Sequence, residues 1–261
     1  MAENYEYALM LRALYEVQEE IGLSSPLGME VLPRLGEALE KIGTIPGNAL
    51  LLGIASDGLP LLLHLNNPRP GPILITGESG SGKTAFLKAL VRAATQLNAP
   101  GSLRFAILTD YPEEWQHFIH LEQRVGVWPA YESAAGEVLS ELSRRTMRRQ
   151  ETEPIILLMD GLDAILHMGP AAQNDFRTLL AHGAPSLIWS FVAINSEWAL
   201  KMPAWLDFFR TRIYGRITNP RTAAELTPIP GAPLTQLQPG FQFCLRQKSA
   251  WLKVFLPAMT R

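Results

Sequence analysis

The sequence has little cysteine, almost no net charge and no long apolar run. Its single cysteine, Cys244, excludes a disulfide framework and a metal site built from clustered cysteines. A net charge of −2 provides no overall attraction to nucleic acid, which argues mildly against a monomeric DNA-binding protein. No apolar run approaches the roughly 20 residues of a membrane span, and the acidic N-terminus lacks the pattern of a secretory signal. We therefore expect a cytoplasmic protein without a membrane segment.

Apolar residues make up 47% of the 261-residue chain, which is enough for a packed core. Before residue 46 they recur at helical spacing, first over residues 8–21, where Gly22 ends the pattern, and again over residues 35–42 after Pro33. We predict a helical appendage over residues 1–45, followed by one domain over residues 46–261. The two helices pack as an accessory element on that domain, on a neighbouring subunit, or within the domain core.

The region after residue 46 alternates between apolar runs and helical stretches. Residues 49–54 and 59–65 are apolar and are joined by Ser56-Asp57-Gly58, which predicts a β-hairpin. Further strands are predicted at 72–76, 103–109, 154–159 and 186–194, with a helix over 134–150. Strands separated by helices form βαβ units, so we predict an α/β domain with a mostly parallel sheet covered by helices on both faces.

Residues 77–84 read Gly-Glu-Ser-Gly-Ser-Gly-Lys-Thr, between a predicted strand and a run of helix formers. This pattern, G-x-x-x-x-G-K-[ST], is that of a phosphate-binding loop, and both flanks argue against a chance Gly/Ser-rich turn. Backbone N–H groups and the helix N-terminus can surround an anion there. Lys83 would reach the β- and γ-phosphates, and the Thr84 hydroxyl would bind Mg²⁺. The predicted ATP-binding residues are Gly77, Glu78, Ser79, Gly80, Ser81, Gly82, Lys83 and Thr84.

A second apolar strand ends at Asp160. In phosphate-loop NTPases a carboxylate at this position, the Walker B aspartate, holds Mg²⁺ indirectly, from outside the ion's direct ligands and opposite the loop hydroxyl. We therefore predict Thr84 and Asp160 as the metal-binding pair. The next residue is Gly161, where many such ATPases have a glutamate that orients the attacking water. Asp163 or Glu78 could replace that glutamate only with an unusual geometry, so the sequence supports ATP binding more strongly than hydrolysis.

Polar residues after the other strands are further candidates. Asn195 ends the strand at 186–194, and we predict that it lies between the phosphate loop and the Walker B strand. There its amide hydrogen-bonds the γ-phosphate or the water, or it simply caps the strand. An arginine finger could come from Arg210, Arg212 or Arg216. The basic helix face of Arg144, Arg145, Arg148 and Arg149 is more typical of a solvated surface than of a DNA contact. The predicted catalytic residues are Lys83, Asp160, Asp163, Asn195 and Arg212.

The order of these segments resembles the FtsK/SpoIIIE branch of the FtsK/HerA superfamily of RecA-like P-loop ATPases, over residues 47–257. The hairpin motif is matched at 53–60, and a strand ending in Asp before a short Glu segment at 107–114. The basic element before Walker B is matched at 143–149, and the C-terminal strand and turn at 212–222. The resemblance implies a RecA-like core, Mg²⁺ and ATP as cofactors, and assembly into a hexameric ring.

The chain also departs from the family. Gly161 replaces the catalytic Glu, and Asn195-Ser196 stands where the family usually has Thr-Gln. The membrane segments and the winged-helix DNA reader of full-length division translocases are also missing from the sequence. DNA pumping is therefore less strongly implied than the fold.

Four functions remain open from the sequence. The first is an ATP-driven ring motor acting on DNA. The second is an ATP-binding regulatory or assembly module with weak or no hydrolysis, supported by Gly161. The third is a secretion or conjugation ATPase that moves protein. A small-molecule kinase comes last, because the sequence shows no Arg-rich lid insertion.

Overall fold

The structure is a computed structural model, and it describes residues 47–123, 125–148, 153–227, 229–247 and 250–257. The two helices predicted before residue 46, the domain boundary after residue 45, and Arg149 lie outside the described residues. All site residues predicted from the sequence lie within them.

Within these ranges ten strands form a single sheet in the order β2-β1-β10-β9-β8-β3-β7-β6-β4-β5. The six strands from β8 to β5 pair in parallel, whereas β2, β1, β10 and β9 pair antiparallel. The strands are β1 (Ala49–Ala55), β2 (Pro60–His64), β3 (Ile73–Gly77), β4 (Arg104–Thr109), β5 (Val125–Pro129), β6 (Ile155–Asp160), β7 (Ile188–Asn195), β8 (Thr211–Tyr214), β9 (Gln242–Gln247) and β10 (Ala250–Phe255).

The predicted hairpin is confirmed as the antiparallel pair β1 and β2. At its turn, Asp57 Oδ1 accepts a hydrogen bond of 2.9 Å from the backbone N–H of Leu59. Four strands were not predicted from propensity: β8, which only the family resemblance implied, and β5, β9 and β10. β5 reads Val-Gly-Val-Trp-Pro, whose Gly and Pro are typical of a strand break. It forms a strand because it lies at the edge of the sheet, where these residues are tolerated. β9 and β10 interleave polar residues with apolar ones and form a second hairpin between β1 and β8.

Helices cover both faces of the sheet, as predicted. On one face Phe86, Leu87 and Leu90 of the first helix pack against Ile73 and Ile75 of β3. On the other face, Leu139 and Phe176 from two further helices pack in the same core as Leu74 of β3. Successive β3 residues point to opposite faces, so Ile73, Leu74 and Ile75 are all apolar and buried. The helices are α1 (Lys83–Leu97), α2 (Ser133–Arg148), α3 (Pro170–His182), α4 (Ser196–Ala199), α5 (Pro203–Leu206) and α6 (Pro220–Leu226).

The strand register brings the ends of the parallel strands together. Gly77, the last residue of β3, pairs with Asn195 of β7, and Thr109 at the end of β4 pairs with Asp160 of β6. Loops that follow these strands therefore meet at one edge of the sheet, where open α/β sheets bind ligands. In the described part of the chain no helix is both long and apolar enough to span a membrane.

Candidate nucleotide-binding site

The phosphate loop joins β3 to the N-terminus of α1 and needs glycine at Gly82 for two reasons. The backbone there has a φ of 100°, in the left-handed region that side chains rarely adopt. A Cβ atom on Gly82 would also lie 2.7 Å from Cα of Gly240. Gly240 itself donates a backbone hydrogen bond of 3.0 Å to the carbonyl of Ser81. The segment before β9 thus supports the phosphate loop from outside the motif.

Gly77 is needed for space. A Cβ atom on Gly77 would lie 2.5 Å from Oγ of Ser81, and one on Gly215 would lie 3.0 Å from the same oxygen. The Ser81 side chain is fully buried in this gap, and it fixes the loop against the residue that follows β8. Small residues on both sides are therefore required for the loop to close on itself.

Glu78 ties the loop to the segment after β8. Its Oε2 accepts hydrogen bonds from the backbone N–H of Thr218 at 2.9 Å and from the Thr218 hydroxyl at 2.6 Å. The backbone N–H of Glu78 donates to the carbonyl of Arg216 at 2.9 Å. Partial burial acts to raise the pKa of Glu78, but the Thr218 hydrogen bonds and the charge of Arg216 together lower it. Glu78 is thus an ionised clamp directed at Thr218 and not at the cleft.

Lys83 at the start of α1 is directed into its own loop. Its Nζ donates hydrogen bonds to the carbonyls of Glu78 at 2.8 Å and of Gly77 at 3.2 Å. Burial lowers the pKa of Lys83 to about 8, and nearby carboxylates, first among them Asp160, act in the opposite direction. A bound polyphosphate would favour the charged ammonium, because an anion next to a buried cation offsets its loss of hydration.

Thr84 and Asp160 meet across the cleft, as the predicted metal-binding pair requires. The Thr84 hydroxyl donates a hydrogen bond of 3.1 Å to Oδ1 of Asp160. Burial raises the pKa of Asp160, and the Thr84 hydrogen bond opposes that rise. Hydroxyl and carboxylate oxygens are ligands that suit Mg²⁺. Among the described residues no cluster of three or more His, Cys, Asp or Glu side chains could hold a metal. Mg²⁺ usually binds one or two carboxylates and completes its coordination with waters and substrate phosphates.

Lys83, Thr84 and Asp160 line one cleft of about 430 Å³ at the carboxyl edge of the sheet, whereas Gly77, Glu78 and Ser81 do not line it. Asp163, the predicted substitute for a glutamate at 161, is part of its wall, as is Gly161. Asp110, which directly follows β4, also lines it. The cleft is formed by Ser79, Gly80, Gly82, Lys83, Thr84, Ala85, Asp110, Tyr111, Asp160, Gly161, Asp163, Ala193, Ile194 and Asn195.

Asn195 lies where the sequence predicted. It ends β7, which pairs in parallel with β3 on one side and with β6 on the other. Its side chain is exposed and lines the cleft. A contact of this amide with phosphate or water stays a prediction.

The three candidate arginines occupy different surroundings. The guanidinium of Arg212 donates to the carbonyls of Leu206 at 2.8 Å and Phe209 at 3.2 Å. Nε of Arg216 lies 3.7 Å from Oε1 of Glu78 in the same chain. Arg210 is exposed, just before β8. The arginine-finger role stays a prediction for all three.

Sequence reasoning did not select Asp110 or Gly240. Asp110 carried a signal, since it follows an apolar strand just as Gly161 follows β6. The sequence did not show that β4 is the strand adjacent to β6. Gly240 carried no signal beyond Pro239-Gly240, which reads as an ordinary turn.

No protein-family model and no curated protein matches the sequence. Solved structures do match. Thermomonospora curvata EccC (ATPases 2 and 3) in complex with a signal sequence peptide aligns with a TM-score of 0.66 and 13% identity, over 88% of this chain and 44% of that chain. EssC (ATPases 2 and 3) from Geobacillus thermodenitrificans aligns with a TM-score of 0.66 and 13% identity, over 95% and 49%. The pCW3 conjugation coupling protein TcpA with ATPγS aligns with a TM-score of 0.64 and 14% identity, over 87% and 69%.

This chain spans about half the length of the EccC and EssC chains. The likenesses show that it has the RecA-like P-loop ATPase fold. They confirm, at the level of the fold, the predicted resemblance to ATPases of the FtsK/HerA type.

Proposed function

We propose that the chain binds Mg²⁺ and ATP in the cleft at the carboxyl edge of the sheet, and hydrolyses the ATP as a motor-type ATPase. The observation that carries this proposal is the Thr84–Asp160 hydrogen bond of 3.1 Å. It lies next to a phosphate loop whose folded backbone needs the space left by Gly77 and Gly82. A hydroxyl and a carboxylate at that separation can share one Mg²⁺ ion.

In this proposal different residues of the cleft bind the phosphates, the Mg²⁺ ion and the attacking water. Backbone N–H groups of the loop and the N-terminus of α1 bind the phosphates, and Lys83 turns from its loop carbonyls toward the β- and γ-oxygens. Thr84 and Asp160 hold Mg²⁺, which when bound neutralises charge that develops on the phosphate oxygens. Asn195 hydrogen-bonds the γ-phosphate or the water from the neighbouring strand.

The similar structures support an ATPase motor. The similar structures include type VII secretion ATPase EccC and a conjugation coupling protein, TcpA, determined with ATPγS. On the family resemblance, we propose that this chain acts as an oligomer, a hexameric ring in which an arginine of one subunit completes the site of the next. We also propose a cytoplasmic location, because two of the similar structures are cytoplasmic domains, those of EccC and EssC.

The translocated substrate is DNA or protein. The net charge of −2 does not favour DNA, and two arginines of the basic face on α2 are paired. Arg144 lies 2.8 Å and Arg145 2.9 Å from Glu141. A local basic stripe in an assembled ring would still allow DNA binding. The effect of DNA on the rate of ATP hydrolysis therefore decides between the two substrates.

The experiment measures Mg²⁺-dependent ATP hydrolysis by the purified chain, with and without long double-stranded DNA. Lys83→Ala is expected to abolish turnover, whereas Lys253→Ala, which removes an exposed lysine of β10, should leave it unchanged. Sedimentation with Mg²⁺ and ATPγS tests the ring. A rate of ATP hydrolysis that rises with DNA supports a DNA motor. A rate that DNA does not change supports a protein substrate. Turnover that survives in Lys83→Ala argues against the proposal.

A second candidate is an ATP-gated assembly module with little or no hydrolysis. It is favoured by Gly161, because the backbone at that residue has a φ of 126° and leaves no side chain at the usual position of the water-orienting glutamate. Tight Mg²⁺·ATP binding with no turnover, with or without DNA, would select this module over the motor.

A further inference from the structure

The backbone at Gly161 adopts a conformation that is essentially confined to glycine. Its φ is 126° and its ψ is 87°, outside the regions that residues with a side chain occupy. A glutamate cannot be accommodated at this position without moving the backbone. The residue after the Walker B aspartate therefore has a different local structure here, and its glycine is part of that structure.

Two other carboxylates converge on the space beside Gly161. A Cβ atom built on Gly161 would lie 3.7 Å from Oδ1 of Asp163 and 4.0 Å from Oδ2 of Asp110. Both aspartates line the nucleotide cleft together with Lys83 and Thr84. Two carboxylates of neighbouring residues therefore lie beside the point where a side chain of residue 161 would begin.

The fold explains why Asp110 reaches this position. β4 is the parallel neighbour of β6, and Thr109 pairs with Asp160, so the next residues, Asp110 and Gly161, emerge side by side. Asp163 is the second residue of a 3₁₀ turn over Leu162–His167. In this turn the backbone N–H of Ala164 donates a hydrogen bond of 3.3 Å to the carbonyl of Gly161.

The surroundings of Asp110 suit a proton acceptor. Partial burial raises the pKa of Asp110, the negative charge of Asp163 raises it further, and His167 acts in the opposite direction. A more basic carboxylate accepts a proton more readily at a working pH above its pKa.

We propose that Asp110 orients and deprotonates the attacking water, with Asp163 as its positioning partner, in place of a carboxylate at residue 161. The water oxygen forms a bond to the γ-phosphorus as the bond from that phosphorus to the β,γ-bridging oxygen breaks. The electron pair of that bond leaves with ADP, and the proton of the water passes to Asp110. This inference rests on the proposed hydrolysis of ATP.

The test compares Asp110→Asn with wild type in turnover, in Mg²⁺·ATPγS affinity and in thermal stability. General-base catalysis contributes about 10²- to 10⁴-fold, so kcat should fall at least about 100-fold. The affinity for Mg²⁺·ATPγS should stay the same or increase, because a negative charge beside the γ-phosphate is removed. The matched control is Asp175→Asn, which should hydrolyse at the wild-type rate. Asp175 lines a second groove, which it shares with Asp110, Asp163 and His167, and it does not line the nucleotide cleft.

Two further variants separate catalysis from structure. Asp110→Glu keeps the carboxylate and should recover part of the lost kcat. Gly161→Glu should lower turnover, because it places a side chain on a glycine-only backbone beside two carboxylates. Faster hydrolysis in Gly161→Glu would overturn the assignment, since residue 161 would then be the natural position of the base.

The outcomes also separate this inference from the proposed function. If Asp110→Asn hydrolyses ATP at the wild-type rate, the proposed role of Asp110 is overturned and the proposed ATPase activity still stands. Absence of turnover in the wild type, with ATPγS still bound, overturns both hydrolysis and the base and leaves ATP binding.

Discussion

The Thr84 hydroxyl lies 3.1 Å from Oδ1 of Asp160, although 76 positions separate the two residues in the chain. Thr84 belongs to the first turn of α1, and Asp160 ends a strand that is separated from β3 by β7. Parallel pairing of these three strands aligns their carboxyl ends, which closes the distance. This contact is the structural basis of the proposed metal site.

Removing the hydroxyl should weaken the nucleotide complex only when Mg²⁺ is present. For Thr84→Ala we expect the affinity for Mg²⁺·ATPγS to fall at least about tenfold, because one oxygen ligand is lost. Thr84→Ser retains the hydroxyl and should bind nearly as wild type. A fluorescent ATP analogue titrated with and without Mg²⁺ measures both. Equal loss in the two variants would contradict a metal-ligand role.

The close approach of Gly82 to Gly240 predicts a large effect of one methyl group. In Gly82→Ala the left-handed backbone is strained and Cβ meets Cα of Gly240 at 2.7 Å, so we expect a loss of about 3 kcal/mol in unfolding free energy and loss of ATP binding. Gly80→Ala is the matched control. Gly80 has a φ of 75° but nothing within 4 Å of a new Cβ, so only about 1 kcal/mol of strain is expected. Urea unfolding measures both, and equal destabilisation would show that contact with Gly240 does not matter.

The Glu78 clamp should be sensitive to acid. Its pKa in the folded chain is lower than the ordinary value of 4.5, so the ionised form is favoured by folding. The stabilisation is complete above that ordinary value and is lost as the pH falls through the lower folded value. Glu78→Gln should speed exchange of the Thr218 amide hydrogen several-fold at neutral pH, with a difference that shrinks as the pH falls below the ordinary value of 4.5. A difference that persists at low pH would mean that charge is not its origin.

Cys244 should be inert in the native protein. It is fully buried on β9, and burial raises the pKa of its thiol to about 12, with Lys253 acting in the opposite direction. At pH 8 about one thiol in ten thousand would then be ionised. Because its folded pKa lies above the ordinary 9.0, the thiol stabilises the fold below about pH 9, and this stabilisation is lost as the pH rises through 12.

Thiol labelling tests this single position directly, since the chain has one cysteine. The reagent should react slowly with the native protein at pH 8 and quickly in urea. Rapid and complete labelling under native conditions would show that β9 opens readily, or that Cys244 is accessible.

Local patterns were sufficient for much of the fold. The apolar runs that became β1, β3, β4, β6 and β7 predicted buried strands, because a strand covered on both faces is apolar throughout. β9 was not predicted, because its buried Phe243 and Cys244 are flanked by Gln and Arg side chains that obscure the apolar pattern. β5 was not predicted because an edge strand tolerates the glycine and proline that a central strand excludes.

The sequence by itself determined the phosphate loop, because that function is carried by eight consecutive residues whose backbone must turn around an anion. It also placed Asp160 at the end of a buried strand. Only the tertiary structure decided which strands are neighbours, and so which side chains share the cleft. The alternation of residues along a strand fixes the face to which each one points and says nothing about the adjacent strand. The convergence of Asp110 and Asp163 on Gly161, and the contact of Gly240 with Gly82, therefore arise from long-range pairing and packing.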